Sequence, residues 1–121
     1  TKSYTVTFTA KPDDVIYVQV YNAPFSAAQV GVADVNNPAA VMGTLKVNGK
    51  AIDTNTTWKC IEGYQFGDIS TWPAAVDYGS TLAGAGAWGT NSPIKSNTVR
   101  FIWNKTNQYI GGAKGTCAYK L

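Results

Sequence analysis

Histidine is absent from this chain, and cysteine occurs only at Cys60 and Cys117. Those two facts restrict the available chemistry. A Ser-His-Asp triad, a Cys-His pair and a histidine general base are all ruled out. Histidine-ligated zinc, copper or non-haem iron is excluded as well, and two thiols cannot complete a zinc tetrad. Serines such as Ser26, Ser80, Ser92 and Ser96 would need a lysine base, and no S-x-x-K spacing supplies one. Paired carboxylates can hydrolyse glycosides without histidine, and Asp53, Glu62, Asp68 and Asp77 are the candidates. Their spacing alone gives no reason to bring two of them together. Asp13-Asp14 lacks the acid-rich ligand spacing of a calcium loop and reads as a surface turn. Gly84-Ala85-Gly86-Ala87-Trp88-Gly89 spells a dinucleotide fingerprint, but no helix pattern follows it and no acid lies beyond Asp77 to hold a ribose. The expectation is a protein that is not an enzyme, with no cofactor and no metal.

The aromatic residues carry the positive signal. Four Trp and seven Tyr exceed the needs of a small core. Trp58, Phe66, Phe101 and Trp103 fall on strand faces and are core candidates. Trp72, Tyr78 and Trp88 fall in a long Gly/aromatic loop over residues 70–96. With Asp77 and Asn91 beside them they have the equipment of a glycan platform, an aromatic face for the sugar ring and polar groups for its hydroxyls. The alternative is that the loop folds over the end of the domain and these rings plug it.

Net charge is +3, but it is unevenly spread. All seven acids lie in residues 1–77 with five lysines, a net of −2. Residues 78–121 carry Lys95, Arg100, Lys105, Lys114 and Lys120 and no acid, a net of +5. A basic patch of Lys95, Arg100, Lys105 and Lys114 would face an anionic membrane or protein; a nucleic-acid partner is not expected. The blander reading is a solvated face whose acids come from neighbouring strands.

The elements that must position these residues read as strands. Ser3–Thr9 alternates strictly, with Tyr4, Val6 and Phe8 opposite Thr5, Thr7 and Thr9, and predicts a half-buried strand. Val15–Tyr21 is rich in β-branched and aromatic residues and predicts an interior strand. Gln29–Val35, Gly43–Val47, Lys50–Ile52, Thr56–Ile61, Tyr64–Ile69, Thr98–Trp103, Gln108–Ile110 and Thr116–Leu121 follow as further short strands. Asn48-Gly49 is the strongest hairpin signal. No amphipathic helix of ten residues survives. The whole chain, 1–121, predicts one all-β domain, an antiparallel β-sandwich or flattened barrel of roughly 7–9 strands.

No apolar run is long enough to span a membrane. Thr1 in place of methionine suggests a processed chain. Cys60 and Cys117 match no redox or metal spacing, so a disulfide formed in an oxidising compartment is expected, with two buried thiols as the alternative. The sequons at Asn55 and Asn104 are compatible with export. The opening from Lys2 to Pro12 resembles, over about eleven residues, the start of some bacterial pilus subunits, which donate such a strand to a neighbour. It carries no diagnostic motif. The leading expectation is a secreted or cell-surface adhesion protein that binds carbohydrate or a glycosylated surface, lectin-like. The alternatives are a secreted toxin or effector with a role in virulence, acting on membranes or host proteins, and a self-associating subunit of a surface fibre.

Overall fold

A computed structural model describes residues 3–80, 82, 88 and 92–121. Among them lie seven short strands: β1 (Val15–Tyr21), β2 (Thr44–Val47), β3 (Lys50–Asp53), β4 (Lys59–Glu62), β5 (Val76–Asp77), β6 (Ile102–Trp103) and β7 (Lys114–Lys120). They form three small antiparallel sheets, β1-β7-β4, β2-β3 and β5-β6, and no closed barrel. The one helical element among the described residues is a 3-10 turn, Ala27–Gln29.

β7 is the axis of the fold. It pairs with β1 along its whole length and with β4 over four residues, where Cys60 stands directly opposite Cys117. The disulfide between them spans a sequence separation of 57. Closing a loop of that length is worth about 4 kcal/mol in the chain-entropy model. Trp58 and Trp103 share a buried cluster with both cysteines, Ile102 and Val41. Gly115 makes room for Trp103: a Cβ there would lie 2.5 Å from the indole ring. Residues 115–118 of β7 are all buried. The sheet thus has an occupied side on each face, Val18 and Val20 on the disulfide side and Val15, Tyr17 and Ile61 with Ile69 and Trp72 on the other.

The Asn48-Gly49 hairpin forms as its sequence predicts. Both residues have positive φ, 48° and 81°, as a tight turn matched to strand twist demands. Trp58, Phe101 and Trp103 are buried as expected. Other expectations need correction. Ser3–Thr9 forms no strand and is exposed throughout, with no partner strand beside it among the described residues. β1 lies at a sheet edge rather than in the interior. Gln29–Val35 contributes only a bridge from Ala33 to Ile110. Tyr64–Ile69 is irregular, bent at Gly67 with φ 105° and tied there by the Tyr17 hydroxyl. Phe66 is therefore 72% exposed, packed edge-on against Tyr17 rather than in the core. Thr98–Trp103 shortens to two paired residues, and Ile102 is as buried as its neighbours because this segment is covered on both sides.

Candidate functional site

The residues expected to form a glycan platform are not gathered on one surface. Trp72 is buried under the sheet, edge-on to Tyr17 with ring centres 6.1 Å apart and in one cluster with Ala118. Trp88 lines a groove with Val18, on the opposite face of the same sheet. Asp77 is engaged by Arg100, whose Nε lies 2.9 Å from Oδ2, and it also accepts the Gly79 N–H. Tyr78 donates its hydroxyl proton to the Asn104 carbonyl at 3.1 Å. Burial, with a smaller contribution from Tyr109, holds its phenol pKa above the usual value. Asn91 and most of the Gly84–Gly89 run lie outside the described residues.

The basic residues likewise have individual settings. Arg100 has its acid from the first part of the chain. Lys114 stands over the Tyr64 ring, 5.2 Å from its centre. Lys105 is exposed next to Thr106, whose hydroxyl donates to Glu62, and Lys95 is exposed. Asn104 of the second sequon is turned inward, donating to Asn107 at 2.7 Å.

The two chemically suggestive concavities lie elsewhere. The larger is an open groove of about 990 Å³ whose apolar lining includes Val18, Met42, Ile94 and Phe101, with Trp88 and Lys46 at its side. Of β1 only Val18 lines it, and β1 is where the sheet is left without a second partner among the described residues. The Asn22 N–H bonds the Ala113 carbonyl at one end and the Leu121 N–H bonds the Asp14 carbonyl at the other. In an antiparallel ladder this frame makes the even-numbered residues the ones bonded to β7. The N–H and C=O groups of Val15, Tyr17, Gln19 and Tyr21 then point to the open edge, where no strand pairs with them among the described residues.

The opening segment has the complementary defect. Tyr4, Val6 and Phe8 are 83%, 77% and 48% exposed. Among the described residues no backbone–backbone hydrogen bond ties residues 3–10 to the body. Ser3, Tyr4 and Thr5 come back to the wall of the groove without pairing along β1. The turn that roots this arm is built by the Asp14 N–H on the Lys11 carbonyl, the Lys11 N–H on the Asp14 carboxylate, and Asp13 at φ 71°.

The second concavity, about 490 Å³, lies at the Val15 end of the sheet. Val15, Ile69 and Tyr119 give it apolar walls, and Asp13, Lys59 and Asp68 a charged rim. The Ser70 backbone N–H, and after it the Ser70 hydroxyl, hold the Asp68 carboxyl below its usual pKa.

Sequence reasoning missed the groove lining of Val18 and Met42 and the open edge of β1. The signal for them was the strict alternation of Tyr4, Val6 and Phe8, which announces a strand without saying where its partner is.

These features define a mostly-β, disulfide-linked domain in which, among the described residues, the β1 edge of the three-stranded sheet is unpaired. No protein-family model, curated protein or solved structure matches the chain. Among the described residues no helix is long and apolar enough to cross a membrane, and the disulfide suggests an oxidising compartment.

Proposed function

We propose that this protein is a secreted or cell-surface assembly subunit, an incomplete β-sandwich whose opening arm completes the β1 edge of another copy. The observation that carries the reading is the pairing of two defects in one chain. An arm with apolar residues at every second position is exposed, and the edge of β1, whose Val18 lines an apolar groove, has no strand paired to it among the described residues. Strand addition resolves both, because the ladder satisfies backbone groups while alternate side chains enter the groove. The lengths agree: β1 has seven residues, and eight arm residues, 3–10, precede the turn. Burying Tyr4, Val6 and Phe8 would contribute roughly 1.5–3 kcal/mol for each fully covered side chain. An exposed edge is otherwise a site of uncontrolled association, so an occupant that the chain itself supplies fits the physics of edges.

A glycan platform draws less support from the geometry, since Trp72 and Trp88 lie on opposite faces of the sheet. The test is sedimentation of the full chain against a chain lacking residues 1–10 over a wide concentration range. The full chain is expected to form oligomers that grow with concentration and resist dissociation, and the shortened chain to stay monomeric. Equal association of the two would overturn the proposal.

A further inference from the structure

We infer that copies join end to end: each arm lies parallel to β1 of the next copy, so that the apolar end of the acceptor around Tyr21 seats in the pocketed end of the donor around Val15. This inference rests on strand donation and adds its direction and a second interface.

The starting observation is an unexplained surface. Tyr21, Phe25, Val30, Val32, Val35 and Tyr109 are between 38% and 76% exposed. The hydrogen bonds place them at one end of the sheet. Gly31 donates to the Gly111 carbonyl, Gly111 to the Val32 carbonyl and Asp34 to the Tyr109 carbonyl. A Cβ on Gly112 would stand 3.3 Å from Val30 and 3.8 Å from the Tyr21 hydroxyl. A gathered apolar surface of this kind marks an interaction site more often than chance exposure does. None of these residues takes part in the groove.

The opposite end of β1 carries the matching shape. The pocket there is walled by Val15, Ile69 and Tyr119. Asp13, in the turn that roots the arm, is on its rim. A projecting apolar end and a concave end, at the two ends of one strand, make a heterologous contact that propagates as an open filament.

Arm direction decides whether the two ends meet. With the arm parallel to the acceptor's β1, arm residues 9 and 10 fall beside Tyr21 of the acceptor. The donor's body follows at once through its Lys11–Asp14 turn, bringing its Val15 pocket onto the acceptor's apolar end. With the arm antiparallel, the donor's pocketed end would meet the acceptor's pocketed end, where the acceptor's own arm is rooted. That arrangement closes into a two-fold pair and leaves every apolar end bare. Only the parallel arrangement covers the exposed surface and also leaves each new copy with a free edge for the next.

The experiment uses full-length chains carrying one added cysteine each, mixed and mildly oxidised. A Thr9→Cys chain is mixed with a Tyr21→Cys chain, and separately with a Val15→Cys chain. The parallel arrangement predicts a mixed cross-link in the first mixture and none in the second; a cross-link in the second mixture alone, or in neither, overturns it. A chain with Phe25→Asp and Val35→Asp gives an independent reading. Both positions are exposed, so its thermal midpoint should match the parent, while the concentration needed for assembly should rise about tenfold or more. Unchanged assembly would overturn the end-to-end contact while leaving strand donation standing. Assembly that survives loss of residues 1–10 would remove strand donation itself, a result the cross-linking variants do not produce.

Discussion

Along β4 the chain closes its own sheet. Lys59 bridges to Ala74, the Cys60 N–H donates to the Pro73 carbonyl, and the Ala75 N–H donates to the Trp58 carbonyl. Trp58 seals this edge at 3% exposure, and the Cys60–Cys117 bond ties β4 to the central strand. Along β1, in the same sheet and against the same β7, none of this happens. The outward backbone groups of Val15, Tyr17, Gln19 and Tyr21 have no strand beside them among the described residues, and the nearest groove is apolar and open. One edge is finished by local chain and a covalent cross-link; the other has no strand paired to it among the described residues. The difference places the covalent and packed closure of the sheet on the β4 side of β7 and an unpaired edge on the β1 side, so under the proposed strand donation, stability and association can be perturbed separately.

The largest effect expected follows from breaking the closed side. Replacing Cys60 and Cys117 together by alanine should lower unfolding stability by about 4 kcal/mol, read from denaturant midpoints, with the two cavities adding to the loss. A loss below about 1 kcal/mol would mean that the cross-link does not restrain the unfolded chain as described. Gly115→Ala should follow, at about 1–3 kcal/mol of overpacking, because its Cβ would press on the Trp103 ring at 2.5 Å. A smaller effect is expected from pH. The Tyr78 pKa is raised by burial, so the folded state favours the neutral phenol. That stability is complete below the ordinary tyrosine value and is lost as pH rises through the raised one. Thermal midpoints should therefore fall in the alkaline range, and a Tyr78→Phe chain, which also loses the bond to Asn104, should show a flatter alkaline profile from a lower start. Parallel profiles for the two chains would remove Tyr78 from that dependence. The smallest effect is on the open side: removing residues 1–10 should shift monomer stability by less than about 0.5 kcal/mol, measured in dilute solution, because among the described residues the arm has no backbone hydrogen bond to the body to lose.

How much of this was legible beforehand follows the same division. Asn48-Gly49 and the strand character of Thr56–Ile61 and Thr116–Leu121 were readable because their information is local: turn residues that tolerate positive φ, and short runs of strand-forming residues between turns. The edge position of β1 was not, since a β-branched and aromatic strand reads alike whether one or both of its neighbours are present. Ser3–Thr9 was read as a half-buried strand and is neither paired nor buried among the described residues. Alternation reports an amphipathic segment, and whether it pairs depends on a partner that the described residues do not place beside it. Trp72 and Trp88 lie close in sequence but on opposite faces of the sheet, a separation set by how residues 66–75 pass behind β1 and β7 and not by the aromatics themselves. The acid-free basic third was legible as a charge pattern, but its Arg100 meets Asp77 only through tertiary packing.

Amide hydrogen exchange along β1 distinguishes an edge that takes up the arm from one that does not, using the full chain in dilute solution with and without an excess of a peptide that copies residues 3–10. Strand addition predicts that the amides of Tyr17, Gln19 and Tyr21, which point to the open edge, slow by about tenfold or more on adding peptide. Those of Val18 and Val20, already bonded to β7, should change little. Unaltered exchange at Tyr17, Gln19 and Tyr21 with saturating peptide, or slowing that falls on both sets alike, would contradict the claim that the arm completes this edge.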